Sequence, residues 1–104
     1  MNKIFVLSGP TGAGKNTTAQ ALAKQFTRSA IVDFDAIRAM FTEPHHVPWD
    51  GEAGKLQDDI TRELICMIAN RLYTDNRTVI ILDLASNEGV DAYRSLLHTN
   101  VFVV

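Results

Sequence analysis

A lysine behind two glycines raises the first chemical question. Gly9, Gly14 and Lys15 have the spacing G-x-x-x-x-G-K, inside the stretch Ser8-Gly9-Pro10-Thr11-Gly12-Ala13-Gly14-Lys15-Asn16-Thr17-Thr18. Glycines placed this way let the backbone fold into a concave nest whose successive N–H groups point at phosphate oxygens. A helix that starts straight after the loop turns its positive end to the same place. Lys15 then reaches the β- and γ-phosphates as a mobile positive charge. A nucleotide polyphosphate is the ligand that suits this geometry.

One corner of the motif departs from the phosphate-loop pattern. The residue after the lysine is normally Ser or Thr, whose hydroxyl ligates Mg²⁺; here it is Asn16. An amide oxygen can coordinate magnesium, but the side chain is longer and its geometry differs. Thr17 lies one position on, turned by about 100° around a helix, so it does not simply replace the hydroxyl. The expectation is a phosphate loop with a weakened metal corner at Asn16. A competing pattern is G-x-G-x-x-G for a dinucleotide, with Gly12-Ala13-Gly14-Lys15-Asn16-Thr17 as its loop and Asp33 or Asp35 as the ribose acid. It lacks the third glycine, puts a lysine mid-loop and leaves Gly9 without a role.

Further carboxylates follow apolar runs. Val79-Ile80-Ile81-Leu82-Asp83 is Walker B-like, and Asp83 is a candidate to hold Mg²⁺ directly or through water. The plainer alternative for Asp83 is a turn or cap residue. Asp35-Ala36-Ile37-Arg38 forms D-x-x-R, which puts carboxylate and guanidinium on neighbouring positions of a first helical turn. Behind a phosphate loop, Asp35 would take or orient the proton of an acceptor hydroxyl, and Arg38 would hold an anionic group. Otherwise the two make an i,i+3 surface ion pair contributing tenths of a kcal/mol. Asp33 and Asp35 are expected to share a face of one strand by the period of two. Asp35 is nearer its carboxyl end and is therefore the one expected to face the acceptor. Trp49, beside Pro48, is a candidate substrate contact by stacking, against the plainer reading of packing on its own loop. His45 and His46 are adjacent, not at metal-ligand spacing, and read as solvated loop residues. Cys66 reads as a small packing residue.

The elements that must position these groups alternate. Residues 3–8 read as a buried strand and 15–27 as a helix whose Ala19, Leu22, Ala23 and Phe26 share a face. Ala30–Asp35 reads as a second strand and Ala36–Phe41 as a short helix. Residues 42–51, with two prolines and a glycine, read as a loop. A long helix is expected over Gly54–Tyr73, burying Leu56, Ile60, Leu64, Met67, Ile68 and Leu72. Thr78–Asp83 reads as a central strand, apolar on both faces. Ser86 is a candidate cap for a fourth helix with Val90, Tyr93, Leu96 and Leu97. Asn100–Val104 begins a fourth strand. Alternating strands and helices mean α/β with a parallel sheet, where ligands sit beyond the carboxyl ends of the strands.

At 104 residues the chain, 1–104, reads as one nucleotide-binding domain. Apolar residues make up 46%, too many for disorder. Net charge is −2 with no basic cluster, which argues against a nucleic-acid partner. A single cysteine allows no internal disulfide, and no signal peptide or membrane span fits, so cytoplasm is the expected location. Val101-Phe102-Val103-Val104 carries no charge or proline to guard a sheet edge, so self-association through residues 100–104 is expected.

Gly9–Thr18 together with Asp35-Ala36-Ile37-Arg38 resembles the small P-loop kinases: the chloramphenicol phosphotransferase-like and zeta-toxin-like proteins and the kinase domain of polynucleotide kinases. Pro48-Trp49, the long helix and the strand ending in Asp83 resemble an AAA-type branch of that group. The resemblance implies a P-loop NTPase-like three-layer sandwich with strand order 2-3-1-4. It implies a fifth strand beyond residue 104 and a lid whose arginines meet the γ-phosphate. It implies ATP held by Gly9, Pro10, Thr11, Gly12, Ala13, Gly14, Lys15, Asn16 and Thr17, with Mg²⁺. Lys15 and Asp35 would be catalytic, with Arg38 on the substrate side. The leading expectation is an ATP-dependent kinase of a small hydroxyl-bearing acceptor. Its alternatives are a nucleotide-binding module or degenerate kinase fragment without phosphotransfer, and a polynucleotide 5′-hydroxyl kinase. Since no arginine follows Arg94, the 104-residue chain is expected to bind nucleotide and to transfer little phosphate by itself.

Overall fold

A computed structural model of the chain describes residues 2–8 and 15–104. The order of elements is β1 (Ile4–Leu7), α1 (Lys15–Ala23), β2 (Ser29–Asp33), α2 (Phe34–Arg38), α3 (Gly51–Thr74), β3 (Thr78–Leu82), α4 (Asn87–Leu96) and β4 (Val101–Val103). The strands make one sheet in the order β2-β3-β1-β4, and every pairing is parallel. This is the α/β architecture and strand order expected above.

The register explains why the central strands are apolar throughout. Leu7 lies beside Leu82, and Asp33 beside Leu82 on the other side, so the carboxyl ends of β1, β2 and β3 finish level. Ile4, Val6, Val79 and Ile81 face one core with Ile65, Ala69 and Tyr93 from α3 and α4. Phe5, Leu7, Ile80 and Leu82 alternate to the other face, where Ala19, Leu22 and Ala23 of α1 cover them. A strand covered on both sides cannot alternate apolar with polar, which is the reason for the unbroken run Val79–Leu82.

Several boundaries differ from those expected, and the short helix α2 runs Phe34–Arg38 and not Ala36–Phe41. Helix α1 ends at Ala23, not at residue 27; Phe26 leaves the helix and packs its ring 5.8 Å from Phe5. Strand β2 stops at Asp33, because that side chain caps the next helix. Helix α3 begins at Gly51, whose φ of 60° is costly for any residue but glycine.

The buried face of α3 also differs. It carries Gly54, Gln57, Thr61, Ile65, Cys66 and Ala69, not the stripe from Leu56 to Leu72. Leu56 and Met67 are 58% and 67% exposed, and Leu72 alone of the expected six packs against the main core. The face is turned because small residues let α3 approach closely. A Cβ on Gly54 would stand 2.1 Å from the Val47 carbonyl oxygen. Thr61 meets its own need by donating to the Gln57 carbonyl at 2.7 Å. At the other sheet margin, β4 leaves Phe102, Val103 and Val104 more than 40% exposed. No helix among the described residues is long and apolar enough to cross a membrane.

Candidate functional site

The carboxyl ends of β1, β2 and β3 form one rim, and each contributes differently. β1 ends at Leu7 and α1 begins at Lys15, so the glycine motif lies between a strand and a helix in the chain. Gly9–Gly14 lie outside the described residues, as does the Lys15 side chain. Asn16 and Thr17 sit exposed in the first turn of α1.

At the end of β2, Asp33 adopts φ −100° and ψ 120° and accepts the Asp35 N–H at 3.0 Å. That is an N-cap, so Asp33 and Asp35 do not share a strand face. Asp33 is spent on the helix it starts, whereas Asp35 lies exposed in the first turn of α2. The carboxylate expected to face an acceptor is thus open, but it is mounted on a helix and not on a strand.

Arg38 is the larger departure from expectation. It is 5% exposed and its guanidinium is occupied inside the protein. Its Nε donates to Asp58 at 2.8 Å and one terminal nitrogen to the Gln57 Oε1 at 2.8 Å. The other terminal nitrogen donates to the carbonyls of His46 and Gly54. Arg38 ties α2 to α3 and to loop 42–50, and as placed it offers nothing to a substrate. Nor is it paired with Asp35. Gln57 completes the same clamp: its Oε1 also accepts the His46 N–H at 2.9 Å, and its amide donates to the Pro44 carbonyl at 3.0 Å. His46 Nδ1 meets Asp50 at 2.8 Å and His45 Nδ1 meets the Phe41 carbonyl at 2.9 Å, so both histidines serve the loop itself. Trp49 stands 83% exposed at its tip.

At the end of β3, Asp83 is 2% exposed. Its Oδ2 accepts the Tyr93 hydroxyl at 2.5 Å and the Arg62 Nε at 3.0 Å. Burial and the neighbouring Asp83 charge push the Tyr93 phenol far above its ordinary range. For Arg62, burial acts to lower the pKa, but the hydrogen bond and charge of Asp83 outweigh it and hold the guanidinium firmly charged. Arg62 also lies over the Phe34 ring, 5.0 Å from its centroid. Its guanidinium passes so near Gly89 that a Cβ there would stand 3.0 Å away.

This arrangement answers the question of Mg²⁺ at Asp83. A carboxylate already paired with the half-buried Arg62 and capped by a phenol is not presented as a direct metal ligand. Among the described residues no three His, Cys, Asp or Glu gather at one point. Asn16 stands exposed in the first turn of α1, and Asp83 is turned into its pair with Arg62 and Tyr93. Cys66 is buried, its thiol pushed up to about 11 by burial with Glu63 adding to it, as suits a packing residue and not a nucleophile.

Gln57, Arg62 and Tyr93 were not singled out from sequence. The signal that points to them is polar residues recurring at Gln57, Asp58, Thr61 and Arg62 in the first half of α3. Because α3 crosses back from the carboxyl rim to the start of β3, that half lies beside the site. Between it and the start of α4 runs a cleft of about 540 Å³, with Lys55, Asp59, Arg62, Ser86 and Glu88 among its lining.

A scan of family models finds none that matches this chain, and a search of curated proteins also gives no match. Solved structures do match. A sugar kinase from Janibacter sp. superposes with a TM-score of 0.69 at 16% identity, over 99% of this chain and 58% of that one. A kinase candidate from Chloroflexus aurantiacus gives 0.66 at 16% identity, over 98% and 57%. The Pnkp1/Rnl/Hen1 complex gives 0.65 at 19% identity, over 98% and 35%. The chain spans less than two thirds of each of these proteins, and at such identities the similarity is one of fold. That fold is kinase-like.

Proposed function

We propose that this chain is the nucleotide-binding core of a kinase that transfers the γ-phosphate of ATP to a hydroxyl of a small molecule. The observation that carries the reading is the meeting of two features on one rim. The G-x-x-x-x-G-K loop joins β1 to α1 there, and Asp35 stands exposed at the start of α2 beyond the end of β2. In this reading Gly9–Lys15 cradles the phosphates and Lys15 draws charge from the β- and γ-oxygens. The acceptor oxygen bonds to the γ-phosphorus, the bond from that phosphorus to the β–γ bridging oxygen breaks, and ADP departs. The hydroxyl proton passes to the Asp35 carboxylate. A magnesium ion travelling with ATP would find Asn16 at the mouth of the loop, and it would neutralise phosphate charge. The net charge of −2, with no basic cluster, supports a small acceptor over a polynucleotide.

The second reading is a nucleotide-binding module without transfer, favoured by Asn16 and by the internal engagement of Asp83. Calorimetry with ATP and a turnover assay on the same sample separate the two. Lys15→Ala is expected to weaken ATP binding by about 2 kcal/mol, the worth of a charge-assisted contact. Asp35→Asn is expected to lower turnover while leaving ATP affinity nearly unchanged. Equal ATP affinity in wild type and Lys15→Ala overturns the phosphate-loop assignment. ATP binding with no turnover, in a chain extended to the length of the similar kinases, selects the module.

A further inference from the structure

The cleft between α3 and α4 has no role so far, yet its walls are built from charged pairs with capacity to spare. Lys55 meets Asp59 at 3.1 Å, Arg62 meets Asp83 at 3.0 Å, and Asp58 on the same wall is held by Arg38 at 2.8 Å. Each cation has its anion, and Glu88 is the one acid left over at the opening of α4. It nonetheless acts on Lys55, whose pKa is raised first by the Asp59 hydrogen bond and charge and then by Glu88.

Arg62 is the most telling of these groups. Its Nε is turned to Asp83, and its guanidinium lies over the Phe34 ring and close to Gly89. Among the described residues its two terminal nitrogens have no hydrogen-bond partner, and no side-chain nitrogen or oxygen is buried without one. Arg62 lines the cleft, and its Nε is already held by Asp83. A carboxylate offers about four lone-pair positions, so Asp59, bound once, keeps most of its acceptors.

We infer that this cleft binds a neutral polyhydroxylated small molecule, a sugar or polyol, with Arg62 donating to its hydroxyl oxygens and Asp59 and Glu88 accepting from its hydroxyl groups. The charge pattern selects this chemistry. An anion drawn to Arg62 and Lys55 would face Asp58, Asp59 and Glu88 on the same walls. A simple cation would face Lys55 and Arg62. A hydroxyl group both donates and accepts, so it suits a wall where donors and acceptors alternate with little net charge. The volume of about 540 Å³ lies within the range of small-molecule sites, roughly 300–1,000 Å³. As a site for the phosphoryl acceptor the cleft rests on the kinase reading above; as a binding site it does not.

The test is binding without nucleotide. Glycerol, ribose, glucose and myo-inositol are titrated in parallel with gluconate, glucosamine and glucose 6-phosphate, by calorimetry and ligand-observed NMR. At least one neutral compound is expected to bind, at least tenfold more tightly than its charged counterpart. Glu88→Gln and Asp59→Asn, both surface positions, are expected to weaken it about tenfold each, with far-ultraviolet circular dichroism unchanged. Lys15→Ala is expected to leave it intact. Tighter binding of a charged counterpart, no binding by any neutral compound, or indifference to both carboxylate variants overturns the inference. Loss of ATP binding in the presence of intact polyol binding removes the kinase reading and leaves the cleft standing. ATP turnover without polyol binding does the reverse.

Discussion

Replacing Arg62 by Met tests how the rim is held together. The side chain keeps most of its apolar length and loses its charge, so what changes is the environment of Asp83. That carboxylate is 2% exposed and, among the described residues, would keep the Tyr93 hydroxyl as its one side-chain partner. Removing one member of a buried pair typically costs about 3–5 kcal/mol, because the charge left behind is neither solvated nor compensated. Stability of a domain this size is on the order of 5–15 kcal/mol, so the loss is a large fraction of it. It corresponds to a fall of roughly 15–25 °C in Tm. The measurement is urea unfolding followed by far-ultraviolet circular dichroism, since Trp49 is 83% exposed and reports poorly on the core. The decisive comparison is the double variant Arg62→Met with Asp83→Asn. The amide is uncharged and its oxygen still accepts from Tyr93, so more than half of the loss, about 2 kcal/mol or more, should return. A single variant within 1 kcal/mol of wild type, or a double variant no better than the single, would refute the picture of a buried charge sustained by Arg62.

Three further outcomes are expected. Gly54→Ala puts a methyl group 2.1 Å from the Val47 carbonyl oxygen, so it should cost about 2 kcal/mol or more and raise proteolysis of loop 42–50; wild-type-like stability and cleavage would contradict the close approach. Tyr93→Phe removes the 2.5 Å bond to Asp83 and should cost roughly 1–3 kcal/mol at neutral pH. Because the Tyr93 pKa is raised by folding, the unfolded chain loses its proton first, above about pH 10, and stability falls there. The advantage of wild type over Tyr93→Phe should therefore hold at lower pH and shrink above about pH 10, and an advantage that grows with alkalinity would contradict the assignment.

The sheet was legible in the sequence because both faces of its central strands are buried, which leaves an apolar run ending in an acid. Strand order followed from the resemblance to small kinases. Helix α3 was not legible in the same way. Hydrophobic periodicity weighs Leu56 and Met67 as core, but the buried face joins Ile65, Cys66 and Ala69 to Gly54, Gln57 and Thr61, and those last three carry no apolar signal. Close approach and internal hydrogen bonding decided that face. The D-x-x-R motif was visible as spacing, and its first member is where an acceptor could meet it. Its arginine was misjudged because the partners Asp58 and Gln57 lie 20 and 19 residues away in the chain, beyond any local pattern.

That misjudgement bears on how Asp35 could work. Helix α2 has five residues, far too short to persist by its own hydrogen bonds, since isolated helices are marginal below about 12–15 residues. Its two ends are held from outside. Phe34, next to Asp35, is buried beneath the Arg62 guanidinium, and Arg38, one turn on, is clamped into α3 and loop 42–50. Asp33 fixes the first turn through its cap at 3.0 Å. An exposed carboxylate is usually free to sample rotamers on a mobile backbone. Here only the side-chain torsions remain, because three neighbours fix the backbone beneath it. A group that must accept a proton from a hydroxyl within hydrogen-bond reach gains from such a mount, since misplacement by about 1 Å can cost on the order of 10² in rate. Arg38 directly, and Arg62 through Phe34, thus act as struts beneath Asp35, an exposed carboxylate on the rim.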